Sequence, residues 1–134
     1  MSDLKLIHPD GWMKPSGYAH GVTASGRIIV TTGQVGWNPS NGAIESNEMA
    51  DQAAQALRNV VAVLRSAGAG PEHLVRLTWF VTDMDEYLIS RKALGVAYRE
   101  IVGQTFPAMS VIGVSALAEK RAKVEIEATA VVPA

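Results

Sequence analysis

Apolar residues recur every three or four positions over residues 46–68, a spacing that predicts an amphipathic helix. Ser46 or Asn47 is placed to cap the start of this helix, because a side-chain oxygen there can accept a hydrogen bond from a free backbone N–H. Gly68 is placed to end it in a left-handed conformation. Polar residues such as Asn59 lie mostly off the apolar stripe. The stripe consists of Ala50, Ala53, Ala54, Leu57, Val61 and Leu64.

A second helix is predicted between Asp83 and Gly103. Asp83 and Glu86, three residues apart, form a capping-box arrangement at its start, and Gly103 is placed to end it. Glycine inside a helix costs about 1 kcal/mol relative to alanine, so Gly95 indicates close packing at that position. The predicted inner face consists of Tyr87, Leu94, Ala97, Tyr98 and Ile101.

Alternating or β-branched apolar residues predict strands in the rest of the chain. The alternation is most regular over Lys123–Val132, where every second residue is apolar. Ser25 and Gly26 form a two-residue connection between two such segments and predict a hairpin. The predicted strands are Lys5–Pro9, Tyr18–Ala24, Arg27–Thr32, Leu74–Thr82, Ser110–Val114 and Lys123–Val132.

The order of these elements, β-β-β-α-β-α-β-β, predicts an α+β fold with a six-stranded mixed sheet and two helices packed on one face. The other face would carry a partly apolar set of side chains, which is unfavourable in water. We therefore expect a partner subunit to cover it and the chain to form an obligate homo-oligomer. That face would carry Thr78, Phe80, Ile112, Val114, Glu125 and Glu127.

Length and composition narrow the class of protein further. The 134 residues predict one domain, 1–134. Of these residues, 48% are hydrophobic and 19% are charged. Because there is no cysteine, disulfides, thiolate metal sites and cysteine nucleophiles are excluded. Twelve Lys and Arg balance 13 Asp and Glu, so no nucleic-acid partner is expected. No apolar run approaches the roughly 20 residues of a membrane span, so we expect no membrane partner and a cytoplasmic location.

Two short segments carry candidate chemistry, and each also has a purely structural interpretation. The segment 31–34, Thr-Thr-Gly-Gln, opens a strand into a glycine loop whose backbone N–H groups can hold an anion, or it is a plain strand exit. Glu125 and Glu127 lie on the predicted open face, where a carboxylate in a subunit cleft can orient water or move protons. A solvated, salt-bridged face is the alternative. No metal site is predicted, because the histidines lack zinc-site spacing. The histidines are His8, His20 and His73.

A set of motifs along nearly the whole chain carries a family resemblance. The motifs are Tyr18–Val22, Thr32–Gln34 with Asn38-Pro39 and Gly42, Phe80–Asp83, Tyr98, Phe106–Ala108 and Val124–Ala128. In order and approximate spacing they resemble the Rid family, the reactive intermediate deaminases. These proteins are also called YjgF-like, and some carry an endoribonuclease L-PSP label. Each motif alone is weak, whereas Thr-Gly-Gln, Phe-Pro-Ala and Val-Glu-Ile-Glu-Ala together are specific.

The resemblance implies a chorismate-mutase-like fold and a homotrimer with clefts between its subunits. It also implies that a small-molecule substrate is bound in these clefts, where 2-enamine or 2-imine acids are hydrolysed to 2-keto acids and ammonia without a metal or organic cofactor. Tyr18 would line the cleft, and Thr32 and Gly33 would bind the substrate through a hydroxyl and a backbone N–H. Glu125 matches the glutamate that positions the attacking water.

One residue departs from the pattern of the deaminases. They have arginine directly after Phe-Pro-Ala, where it binds the substrate carboxylate, and this chain has Met109. Methionine has neither a charge nor a strong hydrogen-bond donor. We therefore expect an altered substrate range, with Met109, Trp37 and Trp79 suited to a larger or less anionic ligand. Lys92 falls near a cleft position that is usually polar and uncharged, and it is a candidate replacement cation. Other candidate cations are Arg76, Lys120, Arg121 and Lys123.

The sequence thus leads to three hypotheses on function. The first is an imine/enamine deaminase similar to 2-iminobutanoate/2-iminopropanoate deaminase. The second is a non-catalytic trimer that binds small metabolites in the same clefts. The third, an endoribonuclease, is disfavoured by the balanced charge. The candidate residues are Glu125 and Thr32 for catalysis, and Tyr18, Gly33, Met109 and Lys92 for substrate binding.

Overall fold

A mixed sheet lies at the centre of the fold. In this computed structural model, which describes residues 3–134, the long central strand is β7 (Val124–Val132). It pairs antiparallel with β5 (Leu74–Val81) on one side, and with the short strands β3 (Arg27–Val30) and β4 (Gln34–Val35) on the other. β6 (Ala108–Gly113) continues the sheet in parallel beside β5. Residues 1 and 2 of the predicted domain lie outside the described residues.

The α+β class is confirmed, but this sheet has five strands where six were predicted. The remaining strands, β1 (Lys5–Ile7) and β2 (Gly21–Thr23), pair with each other in a separate two-stranded sheet. The predicted hairpin of β2 and β3 is therefore wrong. Gly26 has a φ of 144°, and a Cβ there would overlap the backbone carbonyl of Val132, so the chain runs tightly along the end of β7 instead of folding back.

Helix α1 (Met49–Ser66) begins three residues after the first predicted cap. The Ser46 hydroxyl accepts a hydrogen bond from the Glu48 N–H at 3.0 Å, so it stabilises the turn before the helix rather than the helix itself. Glu48 is the residue directly before α1, and its side chain makes no capping hydrogen bond to the helix. The end agrees with the prediction, because Gly68 follows in a left-handed conformation with a φ of 79°.

The predicted second helix is interrupted at Ser90 and forms two helices. They are α2 (Met84–Ile89) and α3 (Arg91–Ile101). The predicted cap is confirmed, since the Asp83 carboxylate accepts a hydrogen bond from the Glu86 N–H at 3.0 Å. Ser90, with a φ of −85° and a ψ of 0°, separates the two helices.

The hydrophobic core lies between the sheet and helices α1 and α3, which pack against each other. Two polar residues of α1 are also buried there, which the apolar stripe did not predict. The Asn59 amide donates to the carbonyl groups of Val35 and Trp37, and the Gln52 amide accepts from the Lys123 N–H. These bonds attach α1 to the end of β4 on one side and to the residue directly before β7 on the other. They satisfy backbone groups that would otherwise be buried without partners.

The other face of the sheet, which we call the open face, carries the side chains that alternate with the core residues. Ile28 and Val30 flank the buried Ile29 and are each 68% exposed. Such apolar exposure is costly in water, as the sequence analysis anticipated. The open face consists of Ile28, Val30, Thr78, Phe80, Ile112, Glu125 and Glu127.

Candidate functional site

Thr32 and Gly33 form a bulge beside the central strand. The Thr31 N–H donates to the Ala128 carbonyl at 2.9 Å, and the Thr31 hydroxyl accepts from the Ala128 N–H at 3.1 Å. Pairing resumes only where Gln34 lies opposite Ile126, so two residues oppose one on β7. A bulge bends the strand and frees its backbone groups from the ladder.

The bulge brings Gly33 against the carboxylate of Glu125. A Cβ on Gly33 would lie 2.6 Å from Glu125 Cδ, which is closer than atoms can approach. Glycine is therefore the residue that lets the backbone and the carboxylate meet. The structure places the predicted residues Thr32, Gly33 and Glu125 together, with Thr32 exposed and Glu125 partly buried.

A cleft of about 610 Å³ lies on the opposite side of the sheet, between its β6 edge and helices α2 and α3. It contains the predicted residues Tyr18 and Met109, together with a wall of aromatic side chains. We call it the aromatic cleft. Its wall includes Tyr18, Trp79, Tyr87, Tyr98, Phe106 and Met109.

Packing and hydrogen bonding fix the aromatic wall. Tyr98 stacks on Phe106 with ring centroids 5.4 Å apart, and its hydroxyl donates to the Thr105 carbonyl. Burial raises the pKa of the Tyr98 phenol well above its usual value, so this hydroxyl stays protonated and keeps its donor role. Trp79 meets Tyr87 edge-on at 6.2 Å. The Trp79 indole N–H is buried and finds no acceptor within residues 3–134.

Lys92, predicted to lie in the cleft, is exposed on α3 and does not line it. The arginines on either side of it along the chain, Arg91 and Arg99, do line the cleft, and the sequence analysis missed both. Their spacing was the available signal, because residues eight apart on a helix share one face. Trp79 lies beside Met109 as expected, whereas Trp37 lines a separate cavity next to α1.

The predicted site residues therefore form two groups on opposite faces of the sheet. Met109 pairs with Leu77, whose side chain is in the core, so Met109 lies on the helix-covered face. Glu125 pairs with Phe80 on the open face. Side chains on opposite faces of one sheet cannot contact the same small molecule. A single site that uses both groups requires two copies of the chain.

The remaining candidate chemistry is limited. His8 stacks on His20 at 5.7 Å, and Trp12 and Tyr18 meet His20 edge-on. Within residues 3–134, no three His, Asp or Glu side chains cluster closely enough to hold a metal ion. In the same residues, no helix is long and apolar enough to span a bilayer.

Comparison with known sequences agrees with this architecture. The sequence profile described as endoribonuclease L-PSP matches residues 13–132. A 2-iminobutanoate/2-iminopropanoate deaminase of Escherichia coli (strain K12) is 37% identical over 114 residues, which cover 85% of this chain and 86% of that protein. The human protein of the same name is 32% identical over 105 residues, covering 78% and 73%.

Solved structures give the same result. The Rid family protein YyfB from Yersinia pestis superposes with a TM-score of 0.79 at 36% identity, covering 97% of this chain and 99% of that chain. Escherichia coli TdcF, solved with bound serine, superposes with a TM-score of 0.70 at 30% identity, covering 96% and 98%. Fold and site thus define a small α+β protein with one helix-covered and one open sheet face. The chain belongs to the endoribonuclease L-PSP family, the Rid or YjgF family that its motifs resemble.

Proposed function

We propose that the protein is an imine/enamine deaminase that hydrolyses its substrate to a keto compound and ammonia. The observation that carries this proposal is the contact of the Glu125 carboxylate with the Gly33 bulge, in a chain whose relatives are named imine deaminases. An imine carbon is already electrophilic. The reaction therefore needs orientation, a held water and proton transfer, which a carboxylate and a few hydrogen-bond donors supply.

The chemistry assigns one role to each group. Glu125 holds a water and accepts its proton as the oxygen attacks the C=N carbon, which forms a carbinolamine. The protonated carboxyl gives this proton to the nitrogen, which completes the neutral carbinolamine. The carboxylate then takes the hydroxyl proton and passes it to the nitrogen as the carbon–nitrogen bond breaks, so that ammonia leaves and the carbon–oxygen double bond forms. The Gly33 N–H and the Thr32 hydroxyl bind the substrate beside this carboxylate.

The site is completed between subunits of a homotrimer. Within one subunit the Glu125 group and the aromatic cleft lie on opposite faces of the sheet. Packing the open face of one subunit against the cleft edge of the next brings the two groups together. The same packing covers the exposed Ile28 and Val30, so one interface accounts for both the apolar face and the divided site.

Met109 supports a second candidate function, a non-catalytic trimer that binds small metabolites in these clefts. The deaminase pattern has arginine at this position, and methionine cannot hold a substrate carboxylate. Saturable binding of keto acids by the wild type, with no acceleration of imine loss, would favour this second function.

A mixture of two inactive variants tests the deaminase and the shared cleft together. Glu125→Gln removes the carboxylate, and Gly95→Leu fills the aromatic cleft from α3. At Gly95 a Cβ meets only the Arg99 guanidinium at 3.3 Å, so the backbone tolerates the larger residue. This corrects the expectation of close packing at Gly95. Each homotrimer should lack activity, whereas isolated hybrids of the two should recover about a third of wild-type activity, because one of the three clefts in each hybrid is intact.

The measurement is the loss of imines, generated from amino acids by an oxidase, before they react with a trapping amine. Variants with different affinity tags allow the hybrids to be isolated. Wild-type protein that accelerates no imine overturns the deaminase. If the wild type is active and the hybrids are inactive, the shared cleft is overturned and the deaminase proposal is retained.

Replacing Gly33 with alanine should lower imine hydrolysis by about tenfold or more, because the new methyl group displaces the Glu125 carboxylate. The displaced atoms are the end of a flexible side chain, so the thermal unfolding midpoint should stay close to that of the wild type. Gly113→Ala is the matched control, since a Cβ there meets only Met84 Cε at an ordinary 3.7 Å. Equal activity of both variants would show that the Gly33 contact is unimportant for the reaction.

A further inference from the structure

Arg91, Gly95 and Arg99 lie one turn apart along α3, and all three line the aromatic cleft. A helix rises about 1.5 Å per residue, so the two arginines are separated by about 12 Å along its axis. Gly95 has no side chain to fill the space between them. The cleft therefore has two cations along one wall, separated by a helix position that carries no side chain.

The guanidinium groups occupy defined positions beside this gap. Arg99 Nη1 lies 3.3 Å from where a Gly95 Cβ would be, so its guanidinium lies back over the glycine. Arg91 Nε donates to the Leu88 carbonyl at 3.3 Å, which leaves its terminal nitrogens for other partners. Both side chains lean toward the start of the helix, as helical side chains generally do, so the separation between them is retained.

Within residues 3–134, the lining of the cleft does not neutralise these two charges. No acidic side chain lines the cleft in the described part of the chain, and neither arginine forms an ion pair within residues 3–134. The neighbouring wall is aromatic or apolar, which weakens the competition from water for an anion. A guanidinium binds a carboxylate through two parallel hydrogen bonds.

The surface between the arginines suits a carbon chain. Met109, Trp79 and Leu94 line the cleft there and offer apolar contact. The Trp79 indole N–H is itself buried, so Trp79 offers the cleft the apolar surface of its ring. The deaminase pattern has arginine at position 109, whereas this chain has methionine. The positive charge of the cleft therefore lies on Arg91 and Arg99.

We propose that the cleft selects dicarboxylic imine or enamine acids, with one carboxylate on Arg91 and the other on Arg99. This inference rests on the proposed deaminase for its reaction but not for its binding step. The arginines are specificity-determining residues, and Met109 is the apolar surface along which the carbon chain lies. A short 2-imino acid reaches one arginine only and binds more weakly.

The test compares imines made from glutamate and from norvaline, which has a methyl group where glutamate has its side-chain carboxylate. We expect wild-type kcat/KM to be at least about tenfold higher for the glutamate imine, as one charge-assisted bidentate pair provides. Arg91→Gln and Arg99→Gln should each remove about tenfold of this preference, through KM rather than kcat. Arg65→Gln, at an exposed arginine of α1, is the matched control and should change neither value.

Calorimetric titration with 2-oxoglutarate and 2-oxopentanoate separates this inference from the deaminase proposal. Wild-type protein that hydrolyses no imine but binds the dicarboxylate more tightly, in an arginine-dependent way, supports the inference alone. Hydrolysis with no preference for glutamate, unchanged in Arg91→Gln and Arg99→Gln, overturns the inference and leaves the deaminase intact. Equal binding of both keto acids also overturns it.

Discussion

Replacing Glu125 with glutamine should lower kcat for imine hydrolysis by about 100-fold or more, the usual contribution of a positioned general base. Glutamine keeps the size of the side chain and its contact with Gly33, but it cannot accept the proton of the attacking water. The substrate should still bind, so KM should change little. Steady-state kinetics with imines supplied by an amino acid oxidase measure both constants.

Glu127→Gln is the matched control for this prediction. Glu127 lies two residues further along β7 on the same open face and opposite the bulge, but the three atoms nearest to a Gly33 Cβ all belong to Glu125. It should retain near wild-type kcat. Equal losses in both variants would point to a general electrostatic effect of the open face, and no loss in either would exclude Glu125 as the proton acceptor.

Replacing Val30 with aspartate should convert the proposed trimer into monomers and abolish most of the activity. Val30 is 68% exposed in the single chain and lies on the face that the proposed interface covers. A carboxylate buried there without a partner costs several kcal/mol, and each subunit contributes one. Size-exclusion chromatography with light scattering gives the mass, and the imine assay gives the activity of the same sample.

The control for the interface is Val63→Asp, an exposed apolar position on α1 away from the open face. It should leave the mass and the activity unchanged. Circular dichroism distinguishes dissociation from unfolding, since a folded monomer keeps its helical signal. A Val30→Asp protein that remains trimeric contradicts the proposed interface, and a monomer with full activity contradicts the shared cleft.

Local sequence signals predicted the elements that are stabilised locally. The Asp83 cap, the left-handed end of α1 at Gly68 and the alternation along β7 depend on neighbouring residues and appear as predicted. β2 pairs with β1, whereas β3 pairs with β7, where Gly26 lies against the backbone of Val132, more than a hundred residues away in the chain. No local pattern specifies such a contact.

For the candidate site, too, some residues could be predicted from the sequence and others could not. Gly33 and Glu125 are in known motifs, and the bulge brings them together as the motifs implied. The arginines of the aromatic cleft belong to none of these motifs, so the resemblance did not single them out. The eight-residue spacing of Arg91 and Arg99 puts them on one helix face, but whether that face lines a cleft depends on how α3 packs against the sheet, which no local pattern specifies.

The alternation of β7 imposes a strict constraint on how this chain can change. Ile126 completes the core, while its immediate neighbour Glu125 faces the bulge, so both depend on the same register. Inserting or deleting one residue in this strand would exchange them, placing a carboxylate among the helices and an isoleucine beside Gly33. Descendants of this sequence can therefore not change the length of the strand that carries the glutamate without losing either the core or the site.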